Sequence, residues 1–416
     1  MSGRLALWVA VGALVFIGLL PVALMLVESI SSGGSLSLVH YRELAGHTSA
    51  WRLMVKTLLL ASLTSLFSMA LGMPLGLLFG KTDLPLRVPL AALFTLPLLL
   101  PPYVVAISWF RVFGRTGALS HVAGASFGES ASALFVGLPG CLWVLTLTFA
   151  PVPMLLTIVS LKAVPARLEE AGRLAGDWAL VLRRISLPLA VPGILFGGIL
   201  AFVMAAGEFT VPQYLRYDTF PVLSFTRFSA SYDFAAATAA AAPMAMVVLV
   251  IIAIEARYVK GDQAPSRASG ANNLSFPLGR YRWPAFVAAG TFVCGAVLAP
   301  LAILLSGAQI TDIGRAYSES RFSLFRGLLY SGVSAGALTI LGFVLAWGVQ
   351  RRALSSGPAV GFASLFLFAL PPTVLGIGLI HLWNRGVLNA FYGSPAMLVF
   401  GYIAQYAGLA VRLIRP

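Results

Sequence analysis

Residues 168–178 read Leu168-Glu169-Glu170-Ala171-Gly172-Arg173-Leu174-Ala175-Gly176-Asp177-Trp178, and the chain runs on to Ile185-Ser186-Leu187-Pro188. The stretch is too polar to cross a membrane and too long for a tight turn. It lies between two strongly apolar runs, about 134–161 and 188–206. Leu168, Ala171, Leu174 or Ala175, and Trp178 recur at helical spacing, which predicts a short helix over about 166–178 with one apolar face. Glu169 and Glu170 fall in its first turn, where the helix dipole favours acids. Gly176 is placed to end the regular run. Arg183 and Arg184 then meet the membrane interface before Leu187-Pro188 opens the next apolar run.

Working outward, the whole chain alternates in this way. Hydrophobic residues make up 59% of the sequence and charged residues 10%, against about 25% charge in ordinary soluble domains. Such a chain cannot cover itself with polar groups in water. Lipid offers no partners to backbone N–H and C=O groups, so apolar runs of about 20 residues cross it as helices. Ten are expected: about 5–27, 53–80, 88–110, 134–161, 188–206, 235–254, 284–306, 328–350, 359–382 and 395–411. The first is too long for a signal-peptide core and no small-residue cleavage site follows it, so it reads as a retained helix.

The formal net charge is +14. The basic residues sit in short clusters between apolar runs, with no stripe or tail, which fits anchoring at lipid headgroups and speaks against nucleic acid as a partner. With the N-terminus in the cytoplasm, the loops holding Lys162, Arg167, Arg173, Arg183 and Arg184 fall on the Lys- and Arg-richer side, as the positive-inside rule requires. Cys141 and Cys294 lie inside apolar runs and imply neither a disulfide framework nor a metal site. The four histidines are too dispersed for a zinc cluster.

Residues 257–282 form the one clear linker, polar and turn-prone. They divide the chain into a first helix and outer loop over 1–50, a first membrane domain over 51–256, the linker, and a second membrane domain over 283–416. The two blocks repeat. At a constant offset of 270, Gly72 falls on Gly342, Leu100-Pro101-Pro102 on Leu370-Pro371-Pro372, and Arg115 on Arg385. Equivalent spans are an even number of crossings apart, which makes the repeats parallel. The same offset puts the counterpart of Glu170 beyond Pro416, so the second block is expected to be incomplete.

The stretch quoted above resembles the EAA loop of binding-protein-dependent ABC importer permeases, whose pattern is Glu-Ala-Ala, three residues, Gly, nine residues, Ile, one residue, Leu-Pro. Here it appears as Glu170-Ala171-Gly172, then Gly176, then Ile185-Ser186-Leu187-Pro188. Gly172 stands where the pattern has a second alanine, and the Gly-to-Ile gap is one residue short. The first departure weakens the helix by up to about 1 kcal/mol, and the second rotates the junction with the next span. With the two-block layout, the Leu-Pro-Pro triplets and Gly207-Glu208-Phe209-Thr210-Val211-Pro212, the chain looks closest to the fused permeases of the ferric-iron group.

That resemblance implies an all-α, polytopic bundle of the type I importer (MetI-like) fold in a bacterial inner membrane. It implies a transporter subunit, not an enzyme. Glu169, Glu170, Ala171, Gly172, Leu174, Ala175, Gly176, Trp178, Ile185, Leu187 and Pro188 would then form a coupling helix and junction docked on an ABC ATPase dimer. That partner would carry ATP and magnesium, and this chain would hold no cofactor or metal. A periplasmic binding protein would deliver the solute, with ferric iron first and thiamine, a polyamine or phosphonate as alternatives. The competing reading is an ion- or proton-coupled secondary transporter, which needs acids within the membrane.

Four further signals bear on the choice. Gly80-Lys81-Thr82 resembles the end of a phosphate-binding loop, but the preceding glycine is misplaced and a membrane helix leads into it. Lys81 reads instead as an interfacial anchor. Glu208, at the end of the fifth span, either lines a translocation path or is an acid at headgroup level, hydrogen-bonded or paired with Arg216. Pro101-Pro102 and Pro371-Pro372 break helices in mid-span, as path-lining segments or as packing kinks. His381, where the repeat places Arg111, reads as a positioning or interfacial residue.

Overall fold

The computed structural model describes residues 2–32, 35–231, 234–258, 275–306, 310–350 and 357–414. Its principal helices are α1 (Leu5–Ser29), α2 (Thr48–Lys81), α3 (Arg87–Leu99), α4 (Pro102–Phe113), α5 (Leu138–Lys162), α6 (Ala166–Ala175), α7 (Trp178–Gly207), α8 (Phe234–Tyr258), α9 (Gly279–Ser306), α10 (Ile310–Gln350), α11 (Gly357–Ala369), α12 (Pro372–Trp383) and α13 (Ala396–Ile414). Among the described residues, β structure is confined to a two-residue hairpin, Ser31–Ser32 with Ser35–Leu36, and one bridge between Thr82 and Phe276. The protein is an all-α bundle of apolar helices.

Each of the ten apolar runs is helical. Six helices, α1, α2, α5, α7, α9 and α10, are individually long and apolar enough to cross a membrane. The third and ninth runs are not single straight helices. Each is a bent pair, α3 with α4 at 102° and α11 with α12 at 104°. The cause is the same in both: Pro101 and Pro371 take extended backbone, with ψ of 131° and 134°, and Pro102 and Pro372 open the next helix. A residue that precedes a proline is pushed out of α backbone, and neither proline supplies an N–H to the preceding turn. The sixth and tenth runs are shorter apolar helices within the described residues, Phe234–Val247 and Ala396–Val411. Of the expected linker over 257–282, residues 259–274 lie outside the described residues.

The chain forms two compact units, each assembled from separated segments. One comprises Leu58–Tyr217 and Tyr258–Gln309. It takes in most of α2, then α3 to α7, and α9. Within it α9 packs on α3 and α4, with Phe94 and Phe292 rings 5.9 Å apart. The other comprises Met1–Thr57, Asp218–Arg257 and Ile310–Pro416. There α1, α10, α11 and α13 share a core built on Leu7, Leu14, Leu345, Leu367, Ala404 and Ala407.

The first unit owes its close packing to glycine. Gly72, Gly76 and Gly80 recur every four residues and line one face of α2. A methyl built on Gly72 would stand 2.5 Å from the Ala150 carbonyl oxygen, and one on Gly76 2.6 Å from that of Met154. Backbones approach this closely only without side chains between them, and in lipid such contact replaces the hydrophobic drive. At 34 residues, α2 is about 50 Å long, well beyond the roughly 30 Å hydrocarbon core. At least one of its ends therefore projects past the apolar layer.

Candidate docking site at the α6 helix

The stretch at 166–178 folds as two helices. α6 spans Ala166–Ala175 behind Pro165, and Gly176 ends it. The termination uses extended backbone, φ −179°, not the left-handed cap expected of a C-terminal glycine. Asp177 then caps the next helix, its Oδ1 accepting from Leu180 N at 2.9 Å. That helix does not stop before the membrane. It continues as α7 from Trp178 to Gly207 through a π-helical turn at Leu182–Ser186. The fifth span thus begins ten residues earlier than the sequence placed it, with Leu187 and Pro188 inside the helix. Pro188 has no N–H for the preceding turn, and the wider π turn accommodates its ring.

Two faces of α6 divide the residues that the sequence grouped together. Leu168, Glu170, Ala171, Leu174 and Ala175 are exposed, Leu174 at 93%. Glu169 and Gly172 are buried. Trp178 turns inward as well. Its ring packs 5.0 Å from that of Phe276 and lies beneath the Arg173 guanidinium at 4.4 Å. Arg173 also donates to the Gly176 carbonyl at 3.1 Å. Gly172 meets the junction helix: a methyl built there would stand 2.5 Å from Ile185 Cδ1 and 3.1 Å from Val181 Cγ2. The two departures from the family pattern therefore meet, since the residue after the shortened spacer packs where the missing methyl would be.

Beneath α6 lies an interaction that the sequence did not reveal. Lys81, read as an interfacial anchor, is 1% exposed, and its Nζ donates to Glu169 Oε2 at 2.7 Å. Ser186 Oγ donates to Glu169 Oε1 at 2.8 Å. Both carboxylate oxygens of a fully buried glutamate are thus satisfied, as a buried charge requires. The charges also suit their helices: Lys81 ends α2, and Glu169 lies in the first turn of α6. The Lys81 carbonyl accepts from Phe276 N at 2.6 Å, Asp83 N donates to the Phe276 carbonyl at 3.3 Å, and Asp83 Oδ1 accepts from Leu278 N at 2.8 Å. Residues 276–278, which lead into α9, are thereby tied to the end of α2.

Glu208 follows the last residue of α7. Its Oε1 accepts from Thr210 N at 2.8 Å, from Val211 N at 3.3 Å and from Thr210 Oγ1. It caps the short helix Thr210–Tyr214. His381, in the other unit, is buried, with Nε2 2.7 Å from Glu28 Oε2 and 2.7 Å from Arg385 Nη2. Pro101 is exposed and Pro102 half-buried, whereas Pro371 is buried and Pro372 exposed. Among the described residues, no three His, Cys, Asp or Glu side chains converge to hold a metal ion.

Residues 72–259 match the family model described as binding-protein-dependent transport system inner membrane component. The putative ferric transport system permease FbpB 1 of Haemophilus influenzae is 23% identical over 342 residues, covering 76% of this chain and 53% of that protein. The molybdenum transport system permease ModB of Escherichia coli K12 is 32% identical over 163 residues, 38% of this chain and 69% of that protein. The thiamine transport system permease ThiP of Brucella abortus is 25% identical over 387 residues, 89% of this chain and 69% of that protein. The chain spans about half the length of the ferric permeases it matches.

Proposed function

The chain belongs to the family of binding-protein-dependent transport system inner membrane components, and from that premise we propose that it is a membrane subunit of an ATP-driven importer whose ATPase docks on the outward face of α6. One observation carries the reading. Leu174, on a short polar-flanked helix outside the spans, is 93% exposed, and Leu168 on the same helix is 47% exposed. A leucine held out almost fully on a short helix fits the helix-in-groove mode of protein recognition. ATP binding closes the partner dimer, α6 follows, and the spans alternate between inward and outward access. The α6 side is then cytoplasmic, as is the N-terminus. ATP and magnesium reside on the partner, and this subunit catalyses no reaction.

A soluble binding protein delivers the solute on the opposite side. Ferric iron is placed first on the likeness to the fused ferric-iron permeases, with the FbpB relatives aligned over 76% of this chain, while ThiP aligns over 89% of it. Molybdenum and thiamine are the rivals that ModB and ThiP raise. Uptake of iron(III), molybdate and thiamine by proteoliposomes holding the permease, its ATPase and its binding protein separates the three. The ion-coupled alternative rests on Glu208, whose Oε1 accepts from three donors as a helix cap. The docking claim is tested by a cysteine introduced at Ala175, which is exposed on α6. Cross-linking to the ATPase is expected, and an active complex that yields no adduct overturns it.

A further inference from the structure

We propose that Lys81, Glu169 and Ser186 are positioning residues that lock α6 to the ends of α2 and α7, so that all three move as one body when a partner pulls on α6. The inference deepens the docking reading and rests on it for the source of the pull.

The chain already joins α6 to α7 through Gly176 and Asp177. That link alone passes motion to one span, through an extended residue that can flex. The buried ion pair adds a second link, to α2, a helix 88 positions away in sequence. Its character suits a lock. Apolar surfaces slide over one another at little cost, because the hydrophobic effect is non-directional. A buried carboxylate with one oxygen on Lys81 Nζ and the other on Ser186 Oγ has a single satisfied position. Sliding α6 by one turn strands a charge away from water, the costliest thing a protein interior can hold.

The surroundings reinforce that position. Phe276 is buried, donates its N–H to the Lys81 carbonyl and packs on Trp178. The segment leading into α9 therefore holds the end of α2 and the start of α7 at once. Gly72, Gly76 and Gly80 seat α2 on α5 along the rows that end at Lys81. A displacement of α6 meets no soft joint before it reaches α2.

The test uses the full-length permease with its ATPase in lipid nanodiscs. Cys141 and Cys294 are first replaced by alanine, and spin labels are placed by Ala175→Cys and Leu66→Cys, both at exposed positions on α6 and α2. With the lock intact, the label-to-label distance is the same without nucleotide and with ATP. In K81M/E169M, which removes both charges together and so leaves no stranded ion, the distance shifts with ATP while ATPase capture is unchanged. The charge-reversed pair K81E/E169K restores the fixed distance. S186A gives a broader distribution with the same mean. A distance that shifts in the wild type, or that stays fixed in K81M/E169M, overturns the proposal. Failure of the wild-type permease to capture the ATPase sinks the docking reading instead. Without the ATPase, K81M/E169M should give a broader label-to-label distribution than wild type, and equal widths would overturn the lock.

Discussion

The two faces of α6 carry chemistry opposite to what a helix on a soluble protein carries. Its inner face holds a charged glutamate and a glycine, both buried. Its outer face holds Leu174 at 93% exposure, with Leu168, Ala171 and Ala175 set among the exposed Arg167, Glu170 and Arg173. In an ordinary amphipathic helix the apolar stripe faces the core. The inversion separates two jobs. The chain binds its own helix by directional polar contacts and keeps the apolar residues for something else. Exposed leucine on a monomer is common when scattered. An apolar face beside a buried ion pair is a different matter, because the burial available locally went to the charges.

That contrast can be broken from the inner side first. Lys81→Met leaves Glu169 buried without its counter-ion, and the expected loss of stability is about 3–5 kcal/mol. Thermal unfolding in detergent, compared with K81M/E169M, checks it. The double variant should recover most of the loss, and a single variant as stable as wild type would show that Glu169 is not held as described. Gly172→Val comes next. Its side chain would overlap Ile185 Cδ1, 2.5 Å from a methyl placed there, and overpacking of this kind costs about 1–3 kcal/mol. The pair G172V/I185A should be milder than G172V alone, because the crowding atom is gone. Gly172→Ala combines a propensity gain of up to about 1 kcal/mol with a smaller clash against a mobile side-chain end, and should fall near neutral. Asp177→Ala removes the cap on Leu180 N and should cost about 1 kcal/mol, read by the same unfolding curves.

How much of this could be read in advance follows from the range of each interaction. The helical class, the apolar runs and the Leu-Pro-Pro breaks are local properties of sequence, and the structure contains them. The short helix ending at Gly176 is local too. Glu169 and Glu170 are chemically identical neighbours, and only the position of Lys81 decides which of them turns inward. Lys81 itself looked like an interfacial anchor because its partner is remote in sequence. The Gly72, Gly76 and Gly80 spacing is a local signal of close helix contact, and it does not say which helix answers it. Trp178 carried the right period for the outer face, but Phe276 and Arg173 draw it inward.

The two breaks carry the same lesson. Pro101 and Pro371 have nearly identical backbone angles, as the repeat implies. At the second break the Gln405 side chain donates to the carbonyls of Phe368 at 2.9 Å and Leu370 at 3.3 Å. Repeated sequence reproduced the kink, while the partner that satisfies it came from a helix no pattern pointed to.

The smallest expected effect on stability decides the most about the outer face. Leu174→Ser replaces an almost fully exposed side chain, and nothing in the fold leans on it. Surface changes of this kind stay within about 0.5 kcal/mol, so the unfolding curve should coincide with that of wild type. If the outer face is a docking surface, the same variant loses an apolar anchor. Anchors of that kind cost more than about 1 kcal/mol of binding, and capture of the ATPase should weaken by roughly fivefold or more. The two readouts must diverge. A variant that unfolds early would place Leu174 in the fold after all. A variant that is stable and still captures the ATPase at full strength would leave the exposed leucines facing lipid headgroups, and the inversion across α6 would then concern the membrane surface and not a partner protein.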